Sequence, residues 1–494
     1  MIRTIPNLFA EAVAAVPDKP WLHHDDGTFT YAEADARIRT MAAGLAERGV
    51  GHGDLVLATA RNRPAYLFAW LATVHLGAIY VSANPRSSGA ELAGLIGQVE
   101  PELVLSDAEL EADIGPTVDV GDLLGTDASP VTGTGPAEPE DPAVLIPTSG
   151  TTGRSKLVTQ THQAYVMAGE GFPWWMELTA EDRLMTSLPL FHINAPAYSV
   201  LGSVAARAGL VLLPGFSASR FIDSARTYGA TEFNAIGAML EILMRQPERP
   251  DDADNPLRLC YTGPSPPEER QLEIERRFGL RIVCGYAMSE TPYGMIWPRG
   301  TRPYGTLGEP RQHPTLGHVN DARVVDGELQ LRNPAVMKGY WGMPEETERV
   351  LLEDGWLRTG DLVSEDPDGT YTFLGRQKEV IRRRGENLAP TEVEDALMDH
   401  PDVAEAAVIG VPSDLSEEDV KAFLVLGDGA DGDLAAIRGF AADRLARFKV
   451  PRYVEVLDEL PHTPTGRIAK HELPRERSSG ETDFEATTTG KGSE

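Results

Sequence analysis

Pro147-Thr-Ser-Gly-Thr-Thr-Gly-Arg-Ser-Lys156 follows an apolar run, Ala143–Ile146, and precedes a helical stretch that begins near Thr161. Gly150 and Gly153 let the backbone approach an anion closely, and Thr148, Ser149, Thr151 and Thr152 add hydroxyl donors. Lys156 adds a point charge suited to the outer phosphates of a nucleotide. The G-x-x-x-x-G-K-[ST] spacing of a Walker loop is absent. Such a composition more often marks a mobile Ser/Thr/Gly loop, but six contiguous residues between a strand and a helix weaken that alternative.

Outward from this loop the chain alternates strand-like and helical segments. Asp54–Ala60, Gly77–Asn84 and Glu102–Ser106 read as strands, with helices at Ala65–Leu76 and Gly89–Val99. The pattern recurs through Arg183–Pro189, Gly209–Leu213, Leu257–Thr262 and Arg281–Cys284, which predicts α/β layers with parallel strands. From about Gly305 the texture changes to short strands and tight turns, with hairpin dipeptides at Asp326-Gly327 and Asp368-Gly369. After Arg376 come a helix at Pro390–Met398, strands at Val403–Val411 and Val420–Leu426, a helix at Leu434–Leu445 and a strand at Tyr453–Val456. The expected architecture is a large layered α/β domain over 1–375 with a β-rich subdomain, then a small mobile α+β domain over 376–474. The Ser, Thr, Gly and Glu content from Arg475 predicts a disordered tail over 475–494.

Composition bounds the partners. A formal charge of −30 over 494 residues argues against a nucleic-acid partner, which calls for a basic surface, but not against a nucleotide held in a local cradle. No apolar run is long enough to span a bilayer, and the first twenty residues read as an amphipathic helix and not a signal peptide. Cys260 and Cys284 have neither disulfide nor metal spacing, so a reducing cytoplasm and core packing are expected. The sequence carries no signature of oligomeric state.

The loop and its lysine resemble the phosphate loop of the superfamily that contains acyl-CoA synthetases, peptide-synthetase adenylation domains and beetle luciferases. The likeness runs from about Phe29 to Leu473. Further motifs follow in that family's order: Leu188-Pro-Leu-Phe-His192, Gly285-Tyr-Ala-Met-Ser-Glu290, Trp356-Leu-Arg-Thr-Gly-Asp361, Gly375-Arg376 and Arg384-Gly-Glu-Asn387. Within the superfamily the chain is similar to carnitine/crotonobetaine-type CoA ligases through FHINA, FNAIGAM and Glu418–Phe423. The resemblance implies ATP-dependent activation of a small acid as its acyl-adenylate, with release of pyrophosphate and transfer to coenzyme A.

It also implies roles. Gly263, Ser265 and the run Gly285, Tyr286, Ala287, Met288 and Ser289 would line the nucleotide site, with Tyr286 stacked on adenine and Glu290 holding Mg²⁺, a hard cation that prefers carboxylate oxygen. Asp361 and Arg376 would hold the ribose, although an Asp in a turn is by itself usually a local cap. His192, Asn194, Asn234, Gly237, Tyr286 and Met288 would line the acid pocket, His192 as a lining residue with a packed or solvated histidine as its competitor. Lys378 would be the hinge about which the small domain turns between two half-reactions, bringing Gly385, Glu386 and Asn387 to a thiol channel. Trp174 and Trp175 read as core packing before a lid.

One departure stands out. Where the family presents a lysine after a glycine in a P-x-T-x-G-K loop, this chain has Pro461-His-Thr-Pro-Thr-Gly-Arg467-Ile-Ala-Lys470. Arginine keeps the charge but not the geometry of lysine, so Arg467 or Lys470 is expected to steady the acid's oxygen. Rival readings keep adenylation but pass the product to a carrier protein or an amine, with nitrous-acid activation as a variant. A non-catalytic nucleotide or acyl-CoA sensor is a further rival.

Overall fold

A computed structural model describes residues 3–107, 114–126, 128–133, 135–148, 155–263, 265–376, 379, 381–383, 386–413, 418–427, 429–445, 447, 449–463 and 468–485, with backbone alone at 382, 386 and 387. The described chain divides into two compact units. The first comprises Met1–Arg323, Gln330–Arg358 and Pro367–Tyr371; the second comprises Val324–Leu329, Thr359–Asp366 and Thr372–Glu494.

The first unit carries the expected α/β layers. One sheet has six strands, in the order Val118–Asp119, Leu103–Ser106, Leu55–Thr59, Ile79–Ser82, Pro142–Thr148 and Lys156–Thr161. Its neighbours are parallel except for the last pair. A nine-stranded sheet has a parallel centre of Arg281–Met288, Leu259–Thr262, Glu232–Asn234, Arg183–Thr186, Gly209–Leu212 and Pro20–His24, with antiparallel strands added at both ends. The helix Pro64–His75 has every residue buried. An element that is apolar all round must lie inside, and a single core joins Phe68 and Trp70 to Val144 and Ile146 of one sheet and to Leu184 and Phe233 of the other. The helix Gly89–Val99 has the expected bounds, fixed by a capping box in which Ser88 and Glu91 satisfy each other's backbone amides.

One cation and two thiols show how polar groups enter this core. Arg311 is fully buried and donates to the Met295 and Pro292 carbonyls and to the phenols of Tyr198 and Tyr261, while Trp175 lies against its guanidinium. It pins the strand Thr291–Ile296 behind Gly285. Trp175 is therefore core, as expected, and Trp174 lies against Arg299. Cys260 and Cys284 are free and buried, and burial pushes the Cys284 thiol up to about 12.

Three local expectations are corrected. The helix begins at His162, where it was expected, capped by the Thr161 hydroxyl, but a strand comes before it: Lys156–Thr161 pairs antiparallel with Pro142–Thr148. The β-branched Val158, Thr159 and Thr161 favour the pleated form. Asp326 and Gly327 form the expected two-residue hairpin turn, both at positive φ (51° and 80°). At Asp368-Gly369 the strands end further apart, at Glu365 and Tyr371, so the connection is longer than a two-residue turn.

The second unit bears out the mixed texture: helices Pro390–Met398 and Leu434–Ala442 pack on a sheet of Val403–Pro412, Glu418–Leu426, Tyr453–Val456 and Glu481–Asp483. Glu481–Asp483 is the third correction. The tail expected to be disordered from Arg475 adds an antiparallel edge strand against Tyr453–Glu455. Its acids meet cations, two of them buried: Glu481 pairs with Lys421 at 2.8 Å and Glu485 with Arg383 at 2.9 Å, while Asp483 pairs with part-exposed Arg452 at 3.1 Å. Among the described residues no helix is long and apolar enough to cross a membrane.

Candidate active site

In open parallel sheets ligands bind beyond the carboxyl ends of the strands, and there the first unit gathers most of the expected residues. Asn234 ends one strand and Thr262 the next, followed by Gly263; Tyr286, Ala287 and Met288 end the third. Gly263 and Gly285 touch so closely that a Cβ on Gly263 would stand 2.3 Å from the Gly285 carbonyl oxygen. No side chain fits there, which is why two glycines occupy this crossing. The Ser265 hydroxyl accepts from Gly305 N at 3.3 Å.

The two sheets are tied at these ends. Gln160 donates to the Ser289 carbonyl at 2.7 Å, and Ser82 donates to the Phe191 carbonyl at 3.0 Å. Buried Asn62 holds the Leu188–His192 segment by accepting from Leu190 N and donating to Leu188 O, both at 2.9 Å. His192 lies against Phe191, ring centroids 4.4 Å apart. Asn194 and Asn234 meet directly, the Asn234 amide donating to Asn194 Oδ1 at 2.7 Å. Asn194 leads into a π-helix, Ala195–Val200, which continues as the α-helix Leu201–Ala206. Beside Gly237 the space is open.

Lys156 and Glu290, far apart in sequence, come to one tyrosine. Tyr340 donates its hydroxyl to Glu290 Oε1 at 2.9 Å, and the Lys156 ammonium sits over the Tyr340 ring, 4.7 Å from its centroid. Burial and then the Glu290 charge raise the Tyr340 pKa, so the phenol stays a donor. Glu346 pairs with Lys156 at 2.5 Å. Tyr340, Glu346, Asn62, Gln160 and Ser82 escaped the sequence reading. Glu346 follows Pro344 and Glu345 at a helix start, where acids are expected for the helix dipole alone, so nothing singles it out.

In the second unit Asp361 is 1% exposed and its Oδ1 lies 3.1 Å from Arg376 Nε, so the two expected ribose residues are also neighbours. Lys470 is held by Glu394 at 2.8 Å and Glu379 at 3.1 Å. Burial lowers its pKa and the two carboxylates more than offset this, leaving it raised. Glu386 and Asn387 lie on a short strand, Glu386–Leu388, paired with Ile381–Arg383. Ser149, Gly150, Thr151, Thr152, Gly153, Lys378, Gly385 and Arg467 lie outside the described residues.

At these strand ends glycines, the Lys156 ammonium and the carboxylates of Glu290 and Glu346 gather around Tyr340, and comparison with known proteins shows the class of protein, an adenylate-forming ligase. The chain belongs to the AMP-binding enzyme family: residues 9–341 match that family, and residues 392–467 match the AMP-binding enzyme C-terminal domain. A crotonobetaine/carnitine–CoA ligase from Salmonella agona (strain SL483) is 30% identical, over 90% of this chain and 93% of its own. The crystal structure of ATP-bound MatB from Rhodopseudomonas palustris superposes with a TM-score of 0.85 at 29% identity, covering 94% of this chain and 97% of that one. The o-succinylbenzoate CoA synthetase from Bacillus subtilis, in complex with its acyl-adenylate intermediate, gives 0.86 at 28% identity, covering 96% and 99%.

Proposed function

We propose that this enzyme activates a small carboxylic acid with ATP and transfers the acyl group to coenzyme A. A carboxylate oxygen attacks the α-phosphorus, the bond to the β-phosphate breaks, and pyrophosphate leaves. The thiolate sulfur then attacks the acyl carbonyl, and the bond to AMP breaks. The observation that carries this reading is the meeting of Lys156 and Glu290 on Tyr340 in a chain of this family. Among the described residues no cluster of three or more metal-ligating side chains occurs. Mg²⁺ takes one or two carboxylates and fills its shell with phosphate and water; Glu290 would hold it, and the ion would neutralise phosphate charge.

Lys156 serves the outer phosphates, and the Asp361–Arg376 pair the ribose. Arg467 steadies the acid's oxygen, a choice supported by Lys470's engagement with two carboxylates. The segments Phe191–Tyr198, Glu232–Met239, Gly263–Pro266 and Tyr286–Tyr293 contain no lysine or arginine, which suits a compact acid without a second carboxylate.

The test is a pyrophosphate-release screen over carboxylic acids and nitrite, with and without coenzyme A, on the wild type and Arg467→Ala. Release should require a carboxylic acid, and AMP formation should turn over only with coenzyme A. Arg467→Ala should slow release about 10²–10³-fold while sparing thiol transfer from preformed acyl-adenylate. Release with nitrite alone, or none with any acid, overturns the proposal.

A further inference from the structure

The partner of Lys156 is a residue to which the reaction as written gives no task. Glu346 Oε2 lies 2.5 Å from Lys156 Nζ, and both side chains are only partly exposed, at 32% and 19%. This contact is built on a frame. Thr159 N donates to Gly339 O, Lys338 N to Thr159 O and Trp341 N to Leu157 O, so the segment bearing Tyr340 is hydrogen-bonded to the strand that starts with Lys156. Within that segment Tyr340 N donates to the Thr347 hydroxyl at 2.9 Å, and Thr347 in turn donates to Met343 O. Gly339 closes the frame at φ +139, where a Cβ would stand 2.7 Å from the Thr347 side chain. Glu346 also pairs with Arg349 on the same helix, Pro344–Val350. The carboxylate is thus a counter-ion that holds Lys156 beside the Tyr340 ring.

We infer that Glu346 is a positioning residue that occupies Lys156 in place of an outer phosphate and regulates how tightly the triphosphate and pyrophosphate are held. This rests on the assignment of Lys156 to the outer phosphates. When ATP binds, its outer phosphates take Lys156 from Glu346; after the α–β bond breaks, Glu346 competes for the ammonium and speeds the departure of pyrophosphate. A cation with no such competitor would hold pyrophosphate longer and let the reverse reaction run. AMP has no outer phosphate, so its affinity is independent of Glu346.

The experiment measures equilibrium binding of ATP, pyrophosphate and AMP to Glu346→Gln, which keeps shape and removes charge. ATP and pyrophosphate should bind about tenfold more tightly, pyrophosphate should inhibit at correspondingly lower concentration, and AMP affinity should stay within twofold. Unchanged ATP and pyrophosphate affinity, or parallel loss of all three ligands as a structural role would give, overturns the inference. Lys156→Met separates the two layers. If it leaves ATP and pyrophosphate affinity unchanged, the Lys156 assignment itself is wrong. If it weakens both, and Lys156→Met/Glu346→Gln shows no further tightening over Lys156→Met alone, the exchange runs through Lys156.

Discussion

Asp361 lies inside the strand Leu357–Glu365 and not in the expected turn; the Thr359 hydroxyl accepts from Asp361 N at 3.1 Å and Gly360 takes φ 72°. Its carboxylate is buried, yet its partner Arg376 is about half exposed, so removing the acid leaves a solvated arginine and little structural debt. Asp361→Ala should weaken ATP and AMP binding by about tenfold or more, the worth of a charged hydrogen-bond pair. Calorimetric titration with each nucleotide checks this, and unchanged affinity removes Asp361 from the ribose site. Single residues of this kind were readable because their motifs are short and ordered. Lys470 was not: the sequence displays its charge but not Glu379 and Glu394, 91 and 76 positions earlier, which close on it. Tyr340 and Glu346 were hidden for the same reason, since their meaning lies in Glu290 and Lys156.

At the scale of elements, periodicity carried the reading wherever a segment was long enough to show it, as in Gly89–Val99 and Pro390–Met398. Short strands were the weak point. Lys156–Thr161 was absorbed into the approach to a helix, and Glu481–Asp483 into a polar tail, where three residues display no period and the stabilising cations are remote in sequence. Lys421, 1% exposed, depends on Glu455 and Glu481 together. Glu481→Ala should therefore destabilise the second unit by about 3 kcal/mol or more, since it strips a buried cation of one carboxylate. Asp483→Ala should cost less, because its partner Arg452 is 16% exposed where Lys421 is 1% exposed. Urea unfolding followed by a probe in this unit decides: equal costs for the two variants would deny Lys421 its special place.

For the whole molecule, acid sensitivity has an identifiable contributor in the first unit. His162 is fully buried, its Nδ1 accepting from Ile5 N at 3.4 Å, and burial lowers its pKa to about 4. The unfolded chain takes up a proton near the ordinary value of about 6.5, so between about pH 6.5 and 4 the unfolded state binds more protons and stability falls as pH falls, by on the order of 3 kcal/mol for this group. His162→Gln should flatten that slope. Unfolding midpoints measured from pH 7.5 down to 4.5 test it, and parallel curves for the two proteins would exclude His162 as the cause.

The π-helix after Asn194 has a consequence for how such chains diverge. A π-turn is an α-helix with one residue inserted, and one residue is about 100° of helix rotation. Deleting any residue of Ala195–Val200 would leave Leu201–Ala206 in place and swing the segment from Phe191 to Asn194 by more than a quarter turn, separating Asn194 from Asn234. A single-codon deletion here would thus change which groups stand at these strand ends without altering any of them.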